Sequence, residues 1–285
     1  MVKNQPLMKR IDPMIKATQF IMAMSLAIVL TAGNVRADWD VGDPFRMHWP
    51  QLPDLEFGMN VNATVPTILA DNFLGTAGPI TRIHLWGSWL DDNFPADGSG
   101  GGFPDPGSVA FKLSIHAHVS PISPAGELTN PGGVPGEELW SRVVQPGEFR
   151  WRPWATAAED FFDPDQDAII GSDTQVFQYN FRIPRSEAFW PQEGKVYWLD
   201  VMAIPQPWQG FTFGWKSSAD HWQAGAVFGH IAGLSDPPYI TVGDWQSMAD
   251  PRTGGPIDLA FVIAPEPATI ALMVLGGLLM IRRCD

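Results

Sequence analysis

Apolar and polar residues alternate strictly through several stretches of the chain. In one, Phe111, Leu113, Ile115, Ala117 and Val119 alternate with Lys112, Ser114, His116 and His118. In another, Phe177, Tyr179, Phe181 and Ile183 alternate with Gln178, Asn180 and Arg182. Tyr197, Leu199 and Val201 share a face opposite Asp200, and Leu259, Phe261 and Ile263 share one opposite Asp258. A period of two over such lengths predicts strands with one buried and one wet face. Ile80–Leu90 reads as a further strand with aromatics on both faces, and Gly87 within it marks a bulge or a point of close packing.

The stretches between these strands, such as Asp91–Ser108 and Ser120–Glu138, are rich in Gly, Pro and Asp and read as long surface loops. Between the chain ends no segment carries a 3.6-residue apolar period, and no fixed repeat points to a propeller or solenoid. One-sided strands joined by long loops predict an all-β fold, an antiparallel β-sandwich of jelly-roll type, over residues 38–264.

The two ends break this pattern. Lys3, Lys9, Arg10 and Lys16 precede an apolar run, Phe20–Ala32, and small residues follow at Val35 and Ala37. A basic start, an apolar centre and a small-residue cleavage site make residues 1–37 a secretory signal peptide, cut after Ala37. Its partner is the Sec translocase. At the other end, residues 265–285 open with Pro265, Glu266 and Pro267, continue as the uncharged run Ala268–Ile281, and reach Arg282 and Arg283. As a helix this run would extend roughly 21 Å at about 1.5 Å per residue, short of the hydrocarbon core of about 30 Å. It is nevertheless apolar on every face, and arginines follow it as a positive stop on the cytoplasmic side would require. The expectation is a C-terminal hydrophobic helix that anchors transiently in the inner membrane.

The order of motif, apolar helix and basic end resembles the PEP-CTERM sorting signal. That resemblance implies recognition by an exosortase, a membrane protease that removes the tail, and delivery to the cell envelope, outer surface or extracellular matrix. The phrases "LPDLEFGMNVNAT", "ILADNF", "GPITRIHLWGSWL", "FGWKSSADHW" and "IDLAFVI" are similar to a family of uncharacterised secreted domains often found on such proteins. The likeness implies one β domain and carries no catalytic residue with it.

Composition narrows the function classes. The formal net charge is −13, and the end segments hold more bases than acids, so the remainder is more acidic still. Such a surface repels phosphate backbones and argues against nucleic acid as a partner. The single cysteine, Cys284, lies in the tail, so the domain must hold without a disulfide.

Asp163, Asp165 and Asp167 alternate as carboxylates do in calcium-binding loops. Ala168 stands where an EF-hand needs glycine and Thr174 where it needs glutamate, so an aspartate-rich turn is the simpler reading and calcium the only cofactor considered. His116 and His118 share the outward strand face, where two exposed histidines are a simpler account than two ligands of a zinc site. His221, beside Asp220 and Trp222, reads as a hydrogen-bonded structural histidine, with a base as the sharper alternative.

The thirteen tryptophans leave two accounts open. They fill a disulfide-free core, or some of them stack sugar rings on an exposed platform. Trp151 and Trp154, in the loop-like "WRPW", are the platform candidates. The expected function is that of an exported surface protein without catalysis. A carbohydrate-binding module for exopolysaccharide is the alternative, and a polysaccharide hydrolase comes after it.

Overall fold

A computed structural model describes residues 38–97, 102–120, 132–205, 210–231 and 245–266. The strands are β1 (Met59–Asn62), β2 (Thr67–Leu74), β3 (Arg82–Trp89), β4 (Val109–Val119), β5 (Val134–Val144), β6 (Arg150–Asp163), β7 (Ala168–Arg182), β8 (Val196–Pro205), β9 (Phe213–Ser218), β10 (Val227–His230), β11 (Gln246–Ser247), β12 (Asp258–Leu259) and β13 (Phe261–Ala264). A 3-10 turn at Leu90–Asp92 follows β3.

One sheet has six strands in the order β11-β10-β2-β8-β4-β5, and its pairings are antiparallel. The other runs β12-β9-β1-β6-β7-β3-β13, and β9 pairs with β3 as well as with β1. That extra pairing closes β9, β1, β6, β7 and β3 into a five-stranded barrel. The expected plain antiparallel jelly-roll sandwich is therefore corrected on two points. One sheet closes on itself, and β1 runs parallel to β6, with Met59 opposite Asp160 and Val61 opposite Phe162.

Two glycines make the closure possible. A Cβ on Gly87 would collide with the Phe213 ring, so its bare backbone lets β9 lie against β3. This is the close-packing point expected of Gly87. A Cβ on Gly214 would lie 2.7 Å from both the Asn60 Cβ and the Phe161 ring, so the narrow barrel has no room for one.

The main core lies between the barrel wall and the six-stranded sheet. Phe111 of β4 packs edge-on against Tyr179 and Phe181 of β7 and Phe213 of β9, at centroid distances of 5.3, 5.2 and 5.1 Å. Phe73 of β2 meets Phe261 of β13 across the same interface. Trp86, Trp89, Trp198 and Trp215 are fully buried, so these indoles fill the interior.

The polar faces of the alternating strands are not wet. Lys112, Ser114, His116, Gln178, Asn180, Asp200 and Asp258 are all buried. On β7 the cover is the segment ahead of β1, since the Trp39 carbonyl accepts Gln178 Nε2 at 2.7 Å and Arg152 at 2.8 Å. The described residues fall in a compact unit, Ala37–Glu266. The C-terminal hydrophobic helix expected over 268–281, and the signal peptide, lie outside the described residues. Among those described, no helix is long and apolar enough to cross a membrane.

Candidate functional site: an aromatic cleft over a buried acid pair

The segment before β1 folds across the end of the domain as a strap. Backbone bonds from Arg46 to Ile263 and from Gln51 to Phe261 tie it to β13. With the loop after β9 it forms an open cleft of about 420 Å³, lined by Val41, Asp43, Phe45, Trp49, Leu52 and Asp220 among others. Val41, Phe45 and Trp49 are exposed there, at 68, 44 and 41 %. Exposed apolar surface beside two carboxylates is an unusual face for so acidic a protein. Asp220 is held in place, for its Oδ2 accepts the Leu52 amide at 3.2 Å.

Two short aromatic–histidine segments meet at the cleft. His48 stacks on Trp222 with centroids 4.2 Å apart and planes 9° from parallel, and it meets Trp49 edge-on at 4.8 Å. Burial holds the His48 imidazole down to about 4, against a hydrogen bond with Gln51 that acts the other way. It is therefore neutral at pH 7 and serves as part of the aromatic wall.

Next to this wall lies an acid pair drawn from both sheets. Asp71 of β2 accepts Gln51 Nε2 at 2.9 Å, the Leu259 amide at 2.7 Å and the Asn72 amide at 2.6 Å. Asp258 of β12 binds His221 Nδ1 through Oδ2 at 2.5 Å. Burial, reinforced by the charge of Asp258, pushes the Asp71 carboxyl well up, and its hydrogen bonds offset only part of this. Burial likewise raises Asp258, and the bond to His221 opposes it. His221 itself is half-exposed. With Nδ1 occupied by the carboxylate, its Nε2 is the nitrogen left to meet a ligand hydroxyl. The carboxylate that holds His221 is thus Asp258, thirty-seven positions away, and not its sequence neighbour Asp220.

The other candidates from the sequence lie elsewhere. Trp151 and Trp154 belong to β6 rather than to a loop, and both are half-buried against the core. Trp151 meets Phe177 edge-on at 5.6 Å, and Trp154 meets Trp86 at 5.2 Å with Arg152 over its ring at 5.1 Å. Among the described residues the exposed indoles are Trp49 and Trp190.

Asp163, Asp165 and Asp167 occupy the β6–β7 turn. Asp163 caps it, accepting the Asp165 amide and Gln166 Nε2, while Asp165 takes Thr67 Oγ1 at 2.7 Å and pairs with His230. Among the described residues no group of three His, Cys, Asp or Glu side chains gathers in metal-binding range. His116 is buried between Asp200 and the Gly136 carbonyl, each at 2.8 Å, and His118 takes the Trp198 indole N–H at 3.2 Å. The exposed pair expected on that strand is therefore two partnered side chains. Pro265 and Glu266 follow β13, with Glu266 exposed. Ala37, Pro267, Arg282 and Arg283 lie outside the described residues.

Trp49, Phe45 and His48 escaped notice because they carry no periodicity and sit in a segment without strands. Their only signal is the repeat of a His-Trp dipeptide, His48-Trp49 and His221-Trp222. Fold and cleft together define a β-barrel packed on a second sheet, with an aromatic surface groove. Residues 47–264 match the family described as Domain of unknown function (DUF7901), and the chain belongs to that family. No curated protein matches it.

Proposed function

We propose that the protein is an exported, envelope- or matrix-associated domain, sorted through its C-terminal Pro265-Glu266-Pro267 signal, that works by binding a saccharide segment of extracellular polymer. The cleft is the observation that carries the binding part. It sets exposed Trp49 and Phe45 beside the carboxylates of Asp43 and Asp220. Aromatic faces cover the apolar C–H faces of sugar rings, and carboxylates accept from the ring hydroxyls. Binding is favoured over catalysis because Asp71 and Asp258 are buried beneath the surface and held by backbone amides and His221.

The test is retention of the secreted protein on a panel of neutral and acidic polysaccharides. Trp49→Ala should weaken retention at least about tenfold, equivalent to ~1.4 kcal/mol, with folding unchanged. Absence of retention on every polymer sinks the binding reading. Release of reducing ends, lost in Asp258→Asn, would replace it with hydrolysis. Export and sorting are tested separately by intact mass of the protein recovered from its host, whose C-terminus should lie near Pro265–Pro267.

A further inference from the structure

The barrel interior holds a polar cluster that the cleft does not use. Lys216 of β9 and Glu159 of β6 are two strands apart around the barrel, as are Asn60 of β1 and Asp173 of β7. They meet across the lumen, all of them buried. Lys216 Nζ lies 2.6 Å from Glu159 Oε1, close enough for an ion pair although its angle falls outside hydrogen-bond geometry. Asn60 Nδ2 donates to Glu159 Oε2 at 3.1 Å and to Asp173 Oδ2 at 2.8 Å. The amine and the amide therefore rest on the two oxygens of one carboxyl group. Their backbones are also directly opposed, since Asn60 and Lys216 are cross-strand partners in the β1–β9 ladder.

We propose that Lys216 and Asn60 condense into an intramolecular amide. The Nζ lone pair attacks Asn60 Cγ, the Cγ–Nδ2 bond breaks, and Nδ2 leaves as ammonia. One proton passes from Nζ to the departing nitrogen, and Glu159 is placed to carry it, with Oε1 at the nucleophile and Oε2 at the leaving group. The step is redox-neutral, and every atom in it comes from this chain.

Three observations support it. Burial acts on the cluster in the direction the reaction needs. It lowers Lys216 toward the free amine, against the opposing charges of Glu159, Asp173 and Asp54. It raises Glu159 and takes Asp173 to about 7, so both acids are pushed toward the protonated form. Next, the uncondensed cluster is poorly satisfied. Asn60 Oδ1 is buried without a hydrogen-bond partner among the described residues, a costly state for a polar network. Finally, the reaction needs no entry path, and positioning of this kind replaces the encounter of two reactants. A sealed lumen is unsuited to a diffusing substrate but suits two residues of one chain.

Intact-mass measurement and peptide mapping of the folded, then denatured, full chain test the proposal. The expected result is a mass lower by one ammonia, with the Lys216 peptide covalently joined to the Asn60 peptide. Lys216→Arg and Glu159→Gln should both restore the uncondensed mass, and Asn60→Asp should lose water in place of ammonia. The proposal is overturned by wild-type protein of unchanged mass. It is equally overturned by ammonia lost while both peptides are recovered free, or by Lys216 joined to Glu159 or Asp173. The wild-type mass decides the matter even where a variant fails to fold.

Discussion

Two buried assemblies in this molecule have nearly the same charge inventory and opposite surroundings. In the barrel, Glu159 and Asp173 lie around the amine of Lys216, and all three are buried. Beside the cleft, Asp71 and Asp258 act on each other, and Asp258 alone binds His221, whose side chain is half-exposed. In both, burial is the leading cause that raises the acids. The difference is the base. A lysine with no route to solvent must be satisfied by its neighbours or lose its charge, whereas a half-exposed histidine keeps water as a partner. The sealed assembly is suited to a permanent tie and the open one to a ligand surface.

The sharpest way to break the comparison is to delete each base. Lys216→Met removes both the partner of Glu159 and the proposed amide, and should destabilise the domain by about 3–5 kcal/mol, read from denaturant unfolding. A loss near that of a surface ion pair would mean the barrel cluster is wetter than the cleft. A pH series comes next. Asp173 is raised from 3.8 to about 7 in the folded state, so folding holds a proton that the unfolded chain releases. Stability from this group is complete below about 3.8 and falls as pH rises to about 7. Asp173→Asn should remove that slope, and the difference between the two unfolding profiles isolates it from Glu159, which acts with the same sign.

His48 should respond in the opposite sense to Asp173. His48 is held down to about 4 from 6.5, so its contribution is complete above about 6.5 and is lost as pH falls through about 4. Its stack on Trp222 makes indole fluorescence the natural readout, and His48→Gln should abolish the acid-side change. His221→Ala exposes Asp258 Oδ2 to entering water, and its cost should be only about 1 kcal/mol. Smallest of all is Trp49→Ala, whose effect on stability should stay within about 0.5 kcal/mol even as polysaccharide retention is lost.

The same contrast explains what could be read from the sequence. Alternation located β4, β7, β8 and the β12–β13 stretch, because a period of two records which residues share a face. It does not record what covers that face, so Lys112, His116, Gln178 and Asp200 were expected in water and are buried. β6 escaped because Pro153 and the Gly- and Pro-rich neighbourhood read as loop. In the fold that proline falls where the β6–β7 register shifts, a place where a missing amide costs little. Barrel closure was illegible for a different reason. It rests on which strand finds β9, a long-range choice with no local pattern. Of the cleft, His221 is legible as a histidine held by a carboxylate, but its partner, Asp258, lies on β12, far from it in the chain. Lys216, Asn60, Glu159 and Asp173 stand on four separate strands, where each looks like an ordinary polar residue.

Ring closure through β9 also fixes an order of events. β1, β3, β6 and β7 all precede Phe213–Ser218 in the chain. Until that short strand arrives, β1 and β3 present bare amides and carbonyls on their open sides. Such edges invite pairing with other chains, and contacts between distant segments form slowly. The last-made quarter of the domain is thus what ends its vulnerable period, and a truncation before Phe213 should yield aggregates rather than a smaller folded protein.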